Sequence, residues 1–277
     1  LSQEQLAQAK LETISAPIAY TERRAEKLYF YRYPPPVGVA DSNVTIEPHV
    51  TKLANARPVA ENYSLDREGY ALVRQKSEVR DFGDDAQTLA LGHPEAAEIV
   101  RAATGANRVV VFDHTVRRRT GENDLAPNSR QPVARAHVDQ TLISGPQRVR
   151  DIMGEAAEAL LRRRAAIINV WRPIGHAARD WPLALGDARS VDPADLMPTE
   201  LIFPHRRGET YSLAYNPAQR WSYIPDLQTD ECLLIKCWDS DANVARFAPH
   251  TGFEDPTTPP GTPPRQSIEF RTLAFFD

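Results

Sequence analysis

From about residue 165 onward the chain is cut into short apolar runs by turn-forming residues, and this punctuation constrains the fold more than any other feature. Ala166 to Arg172, Thr210 to Tyr215, Trp221 to Ile224, Cys232 to Trp238 and Ser267 to Phe276 are each of strand length. They are rich in β-branched and aromatic residues, as is the earlier run Val109 to Phe112. Helical periodicity comes before them, in Ser2 to about Ser15, His93 to Thr104 and Gly145 to about Arg164. In the third segment Val149, Ile152, Met153, Ala156, Leu160 and Leu161 share one side, with Arg162, Arg163 and Arg164 near the C-terminal end, where cations suit the helix dipole. Helices followed by many short strands predict a mainly β fold with flanking helices, a double-sheet barrel or jelly roll. A doubly wound fold is disfavoured because no strand, Gly-rich turn and helix occur in order, and the glycines number only 13. Prolines cluster in Pro34 to Pro36 and again in Pro256 to Pro264, and predict stiff loops on this scaffold.

No Gly/Ser linker, long charge run or internal repeat divides the chain, so a single domain over 1–277 is expected, with 1–105 an N-terminal elaboration packed on the barrel core. Lys plus Arg total 33 against 37 Asp plus Glu, a net charge of -4, so no basic field exists to hold nucleic acid or an anionic membrane. No apolar run approaches the roughly 20 residues of a membrane-crossing helix. The opening LSQEQLAQAKLE lacks the apolar stretch of a secretory signal, and a soluble, cytoplasmic protein is expected. Cys232 and Cys237 lie in one run where a strand points them to opposite faces, which argues against a disulfide between them.

The sharpest local motif is Ala136-His137-Val138-Asp139-Gln140. In extended backbone His137 and Asp139 face the same side, so an imidazole nitrogen and a carboxylate can reach one cation. They form two corners of the facial triad of non-haem Fe(II) oxygenases, which leaves metal positions open for a co-substrate and oxygen. A surface ion pair is the plainer reading of a lone His-x-Asp. The third ligand must be a distant histidine. His250 closes a strand-like stretch and is one candidate; His205, between Pro204 and Arg206-Arg207-Gly208, is its rival in a cationic turn. Beyond His250, alternation puts Arg265, Ser267, Glu269 and Arg271 on one face of the last strand. A guanidinium there suits the distal carboxylate of 2-oxoglutarate, and an exposed edge strand is the alternative.

The order His-x-Asp, distal His, Arg-x-Ser resembles the Fe(II)/2-oxoglutarate-dependent dioxygenases. Longer stretches resemble the AsaB-like hydroxylase/desaturase family, also called gibberellin desaturase-like or cephem methoxylase-like: Tyr63 to Tyr70, Ala136 to Thr141, Asn169 to Ile174, Asp180 to Ala184, Gly208 to Leu213, Leu234 to Ser240 and Ala248 to Thr251. The resemblance implies a cupin-like double-stranded β-helix, iron held by His137, Asp139 and His250, 2-oxoglutarate as co-substrate and O2 as oxidant. It implies hydroxylation, desaturation or oxidative cyclisation of a small amino acid or secondary metabolite. Either Arg265, which fits the Arg-x-Ser pattern with Ser267, or Arg271 is the expected co-substrate anchor.

Asn169 and Arg172, on one expected strand, are candidates for contact with co-substrate or substrate, with structural hydrogen bonding as the alternative. Tyr211 is a candidate pocket wall. Arg117-Arg118-Arg119 reads as a solvated loop, and Lys236 as the partner of Asp239 or another nearby acid. Two other functions remain open: a metal-free jelly-roll module that binds a small ligand, and a metal-dependent isomerase or hydrolase that does not consume 2-oxoglutarate.

Overall fold

The computed structural model describes residues 11–120 and 129–277. Fifteen strands are described: β1 (Thr13–Thr21), β2 (Leu28–Tyr31), β3 (Ile46–Asn55), β4 (Tyr70–Arg74), β5 (Arg108–Arg118), β6 (Ser129–Arg130), β7 (His137–Val138), β8 (Ala165–Pro173), β9 (Leu183–Gly186), β10 (Leu196–Ile202), β11 (Arg207–Leu213), β12 (Trp221–Tyr223), β13 (Glu231–Asp239), β14 (His250–Gly252) and β15 (Gln266–Phe275). The principal helices are α1 (His93–Thr104), α2 (Ser144–Met153) and α3 (Ala157–Leu161). Nine strands form one sheet in the order β1-β3-β12-β9-β14-β7-β11-β10-β2, and six form the other in the order β4-β13-β8-β15-β5-β6. The fold is the expected jelly roll.

The two sheets share a core. Trp171, Leu233 and Ile235 of the six-stranded sheet cluster with Leu183 and Leu185 of the nine-stranded one. Alternation along β8 then sends Ile168 and Val170 to the other face, where Ile99 and Val100 of α1 cover them together with Ile268 and Phe270 of β15. Every residue of β8 and β13 is buried, which is why both read as nearly continuous apolar runs. At one end Val149 of α2 and Ala157 of α3 pack on Ile167, Trp238, Leu273 and Phe275.

Several expectations need correction. The N-terminal helix expected from Ser2 to Ser15 falls outside the described residues for 1–10, and Thr13 to Ser15 open β1. That strand is paired throughout with β3 and buries Ala16, Ile18 and Tyr20 with a period of two. The first 105 residues supply β1 to β4 to both sheets, together with α1. The long helix from Gly145 breaks at Gly154, whose φ of 53° and ψ of -127° suit a residue without Cβ, and it resumes after one 3-10 turn. The arginine run is not a loop. Arg117 and Arg118 end β5, where Arg117 stands opposite Ser267. The expectation for the cysteines holds: Cys232 and Cys237 are free and buried in different clusters.

Candidate metal and co-substrate site

His137 lies between two strands. It pairs with Ser212 of β11 on one side and directly with His250 of β14 on the other, so residues 113 positions apart (250 minus 137) become cross-strand neighbours. Their ring centroids are 4.6 Å apart. Asp139 follows the end of β7, and its Oδ1 lies 3.3 Å from His137 Nε2. Among the described residues these three are the one group of His, Cys, Asp or Glu whose potential ligand atoms all lie within 4.8 Å of one another.

The imidazoles are oriented by backbone. His137 Nδ1 donates to the Arg135 carbonyl at 2.7 Å and His250 Nδ1 to the Ala248 carbonyl at 3.1 Å. A carbonyl only accepts, so each Nδ1 carries the proton and each Nε2 lone pair is free. Burial and the neighbouring His137 push the His250 pKa down, favouring neutral imidazole. Burial opposes ionisation of Asp139, but the adjacent His137 imidazole and the Arg271 guanidinium prevail and hold the carboxyl well below the usual range. Asn169 Nδ2 donates to Asp139 Oδ2 at 2.7 Å.

One cavity is lined by all three residues together with Arg117, Val133, Trp171, Arg265 and Glu269. Arg265 is 1% exposed and held by the segment Asp180-Trp181. Its backbone N–H donates to Asp180 Oδ2 at 2.9 Å, and Nη1 donates to the Trp181 carbonyl at 2.7 Å. Trp181 has a φ of 47°, uncommon for a bulky residue, so local backbone strain accompanies the carbonyl that steadies the guanidinium. The guanidinium also lies 5.5 Å from the centre of the Trp171 ring. Burial and nearby Arg117 lower its pKa to about 9. Arg265 Nε and Ser267 Oγ are buried without a hydrogen-bond partner among the described residues.

The remaining candidates separate. Arg271 Nη1 donates to Asp113 and Thr115 at 2.8 and 2.9 Å, and Nη2 donates to Glu269 at 2.5 Å. Arg172 is not brought to the site. Three residues along β8 from Asn169, it points to the opposite face and donates to the carbonyls of Gln75 and Thr229. Tyr211 pairs with Val138 and packs edge-to-face on Phe247 in a different groove, which none of the three clustered residues lines. His205 is exposed in the β10–β11 turn, away from the cluster. Lys236 pairs with both Asp239 and Asp66, at 2.6 and 2.8 Å. Arg117 and Glu269 in the cavity were missed as site residues, although the period-two pattern of β15 already put Glu269 on the Arg265 face.

The sequence from residue 18 to residue 275 matches the family model described as Oxidoreductase/YMDC permease-like domain. The Fe(II)/2-oxoglutarate-dependent dioxygenase nvfI of Aspergillus novofumigatus is 30% identical over 257 residues, covering 90% of this chain and 91% of that protein. The hydroxylase/desaturase asaB of Aspergillus flavus is 43% identical over 136 residues, 44% of this chain and 60% of that one. The chain belongs to the AsaB-like hydroxylase/desaturase family. A solved structure of the iron and alpha-ketoglutarate-dependent endoperoxidase NvfI superposes on it with a TM-score of 0.88 at 27% identity, covering 96% of this chain and 98% of that one. This AsaB-like protein is thus an Fe(II)/2-oxoglutarate-dependent dioxygenase that uses Fe(II), 2-oxoglutarate and O2. No helix among its described residues is long and apolar enough to cross a membrane.

Proposed function

We propose that His137 Nε2, Asp139 Oδ1 and His250 Nε2 hold the iron of this dioxygenase, and that Arg265 with Ser267 receives the distal carboxylate of 2-oxoglutarate. The observation that carries the reading is the engagement of both Nδ1 atoms by backbone carbonyls, which leaves two Nε2 lone pairs beside one carboxylate. Two neutral imidazoles and a carboxylate are the donor set that Fe(II) accepts on one face.

The unpartnered Arg265 Nε and Ser267 Oγ, in or beside the cavity lined by the three ligands, fit an anion of several oxygens. A buried cation whose side chain, among the described residues, hydrogen-bonds only to the Trp181 carbonyl gains most when a carboxylate arrives. Arg271 suits the role less, because Asp113 and Glu269 already share its guanidinium.

The bound metal with 2-oxoglutarate and O2 supplies the oxidant for hydrogen abstraction. The protein orients the co-substrate, keeps Asp139 ionised and shields the site: His137, His250 and Arg265 are all at most 9% exposed. The substrate is a small molecule, of the secondary-metabolite or amino-acid class that the family resemblance implies, and relatives named endoperoxidase and hydroxylase/desaturase support its oxidation. Hydroxylation, desaturation and oxidative ring closure all begin from the same site. Anaerobic addition of Fe(II) and 2-oxoglutarate should give a visible charge-transfer band, and candidate substrates should then release succinate in air. A colourless protein that binds 2-oxoglutarate no better with Fe(II) than without it would overturn the assignment.

A further inference from the structure

Asp139 follows the last residue of β7, so no strand pairing fixes its side chain. The constraint comes from the opposite sheet. Asn169 of β8, fully buried, donates from Nδ2 to Asp139 Oδ2 at 2.7 Å. Arg271 stands directly across from Asn169 in the β8–β15 ladder and brings Nε to 3.7 Å from that same Oδ2. Cys237 Sγ is a weaker neighbour of Oδ2 at 4.0 Å. The other oxygen, Oδ1, faces His137.

We propose that Asn169 and Arg271 are positioning residues: they hold Oδ2 of Asp139 on the six-stranded sheet, so that Oδ1 alone faces the metal. The inference rests on the iron-ligand reading above. A carboxylate free to rotate can chelate with both oxygens and take up a coordination position that the co-substrate or O2 needs. With Oδ2 held by a neutral donor and a cation, Asp139 offers one oxygen. The arrangement also explains why Arg271 is ringed by acids without being neutralised by one alone. Glu269 and Asp113 take Nη2 and Nη1, and Nε is left on the Asp139 side.

Co(II) titration of the full chain tests this, because its visible spectrum reports coordination number and its affinity is measured without turnover. Asn169→Leu and Asn169→Ala should weaken Co(II) binding about 10- to 100-fold, the usual loss when a group holding a ligand is removed. The spectrum of the saturated variants should shift toward higher coordination. Arg271→Lys should retain more affinity than Arg271→Leu, since charge is kept. A merely structural role would instead lower the Tm of the metal-free protein and leave Co(II) affinity and spectrum as in the wild type, and that result overturns the proposal. If the Asn169 variants do not fold, wild-type Co(II) affinity in Arg271→Leu overturns it equally. His137→Ala separates the two levels: wild-type Co(II) affinity there brings down the ligand set itself, whereas loss there with retention in Asn169→Leu removes only the positioning role.

Discussion

Arg265 immediately precedes β15 and Arg271 lies within it, and of the two only Arg271 is ion-paired among the described residues. The pairs with Asp113 and Glu269, together with nearby Asp139, outweigh burial and raise the Arg271 pKa, while burial beside Arg117 lowers that of Arg265. Two arginines six positions apart thus have different surroundings, and the different roles proposed for them follow from that.

Arg265→Leu should therefore raise the KM for 2-oxoglutarate at least about tenfold with a smaller effect on the KM of the prime substrate, because a charged hydrogen bond contributes about 1.5–3 kcal/mol. Arg271→Leu should act chiefly through metal affinity. Steady-state kinetics over a matrix of both substrate concentrations checks this, and an unchanged 2-oxoglutarate KM in Arg265→Leu would remove Arg265 from the anchor role.

His137→Ala, Asp139→Ala and His250→Ala should each lose tight Fe(II) binding and the charge-transfer band, and His205→Ala should keep both. Far-UV circular dichroism should show all four folded, since the ligand-site changes shorten side chains beside an existing cavity. A His250→Ala protein that still forms the band would require a different third ligand.

The pattern of β8, β11, β13 and β15 was legible because burial forces either a continuous apolar run or a clean alternation; the nearness of His137 and Asp139 was legible through their spacing, whereas His250 was set apart from its rival His205 by the family resemblance. Other parts carried no such signal. β7 and β14 are two and three residues long, too short for any period, yet they pair His137 with His250. The face of Arg172 follows from its distance to Asn169, but which face of β8 is interior depends on α1 covering the other one. Tyr211 does line a groove, but its pairing with Val138 rather than His137 puts it on the face away from the three clustered residues, which its residue type alone does not reveal. Arg117 was hidden in a triple-arginine run whose charge suggested solvent, whereas its position opposite Ser267 turns it inward.

Asp187 predicts part of the acid sensitivity. Burial raises its pKa, but hydrogen bonds from Arg189 and Arg220 outweigh burial and leave the carboxyl below its ordinary value. A depressed folded-state pKa means stability that is fully present above the unfolded value of about 3.9, and that is lost as pH falls through the lower folded value. Asp187→Asn should lower Tm at pH 7 and converge on the wild type as the pH falls below about 4. A constant difference from pH 7 to pH 3 would show that the charge of Asp187 contributes nothing.

Gly145, in the first turn of α2, predicts the tightest packing constraint near the site. A Cβ there would lie 2.5–2.7 Å from Cγ, Cδ2 and Cδ1 of Trp238, a ring only 2% exposed and wedged among Val149, Ile167 and Leu273. A buried indole cannot swing aside, so Gly145→Ala must push α2 outward, and such overpacking costs about 1–3 kcal/mol. For a chain of this size that is a fall in Tm of several degrees. The start of α2 is tied to the turn after Asp139, where Thr141 Oγ1 accepts from the backbone N–H of Ser144 at 3.0 Å, so the displacement should also weaken Fe(II) binding. Trp238→Phe frees room at the same point, and the double variant should lose less Tm than the two single losses added together. Strict additivity would mean that the Cβ is accommodated elsewhere and that Trp238 does not set the position of α2.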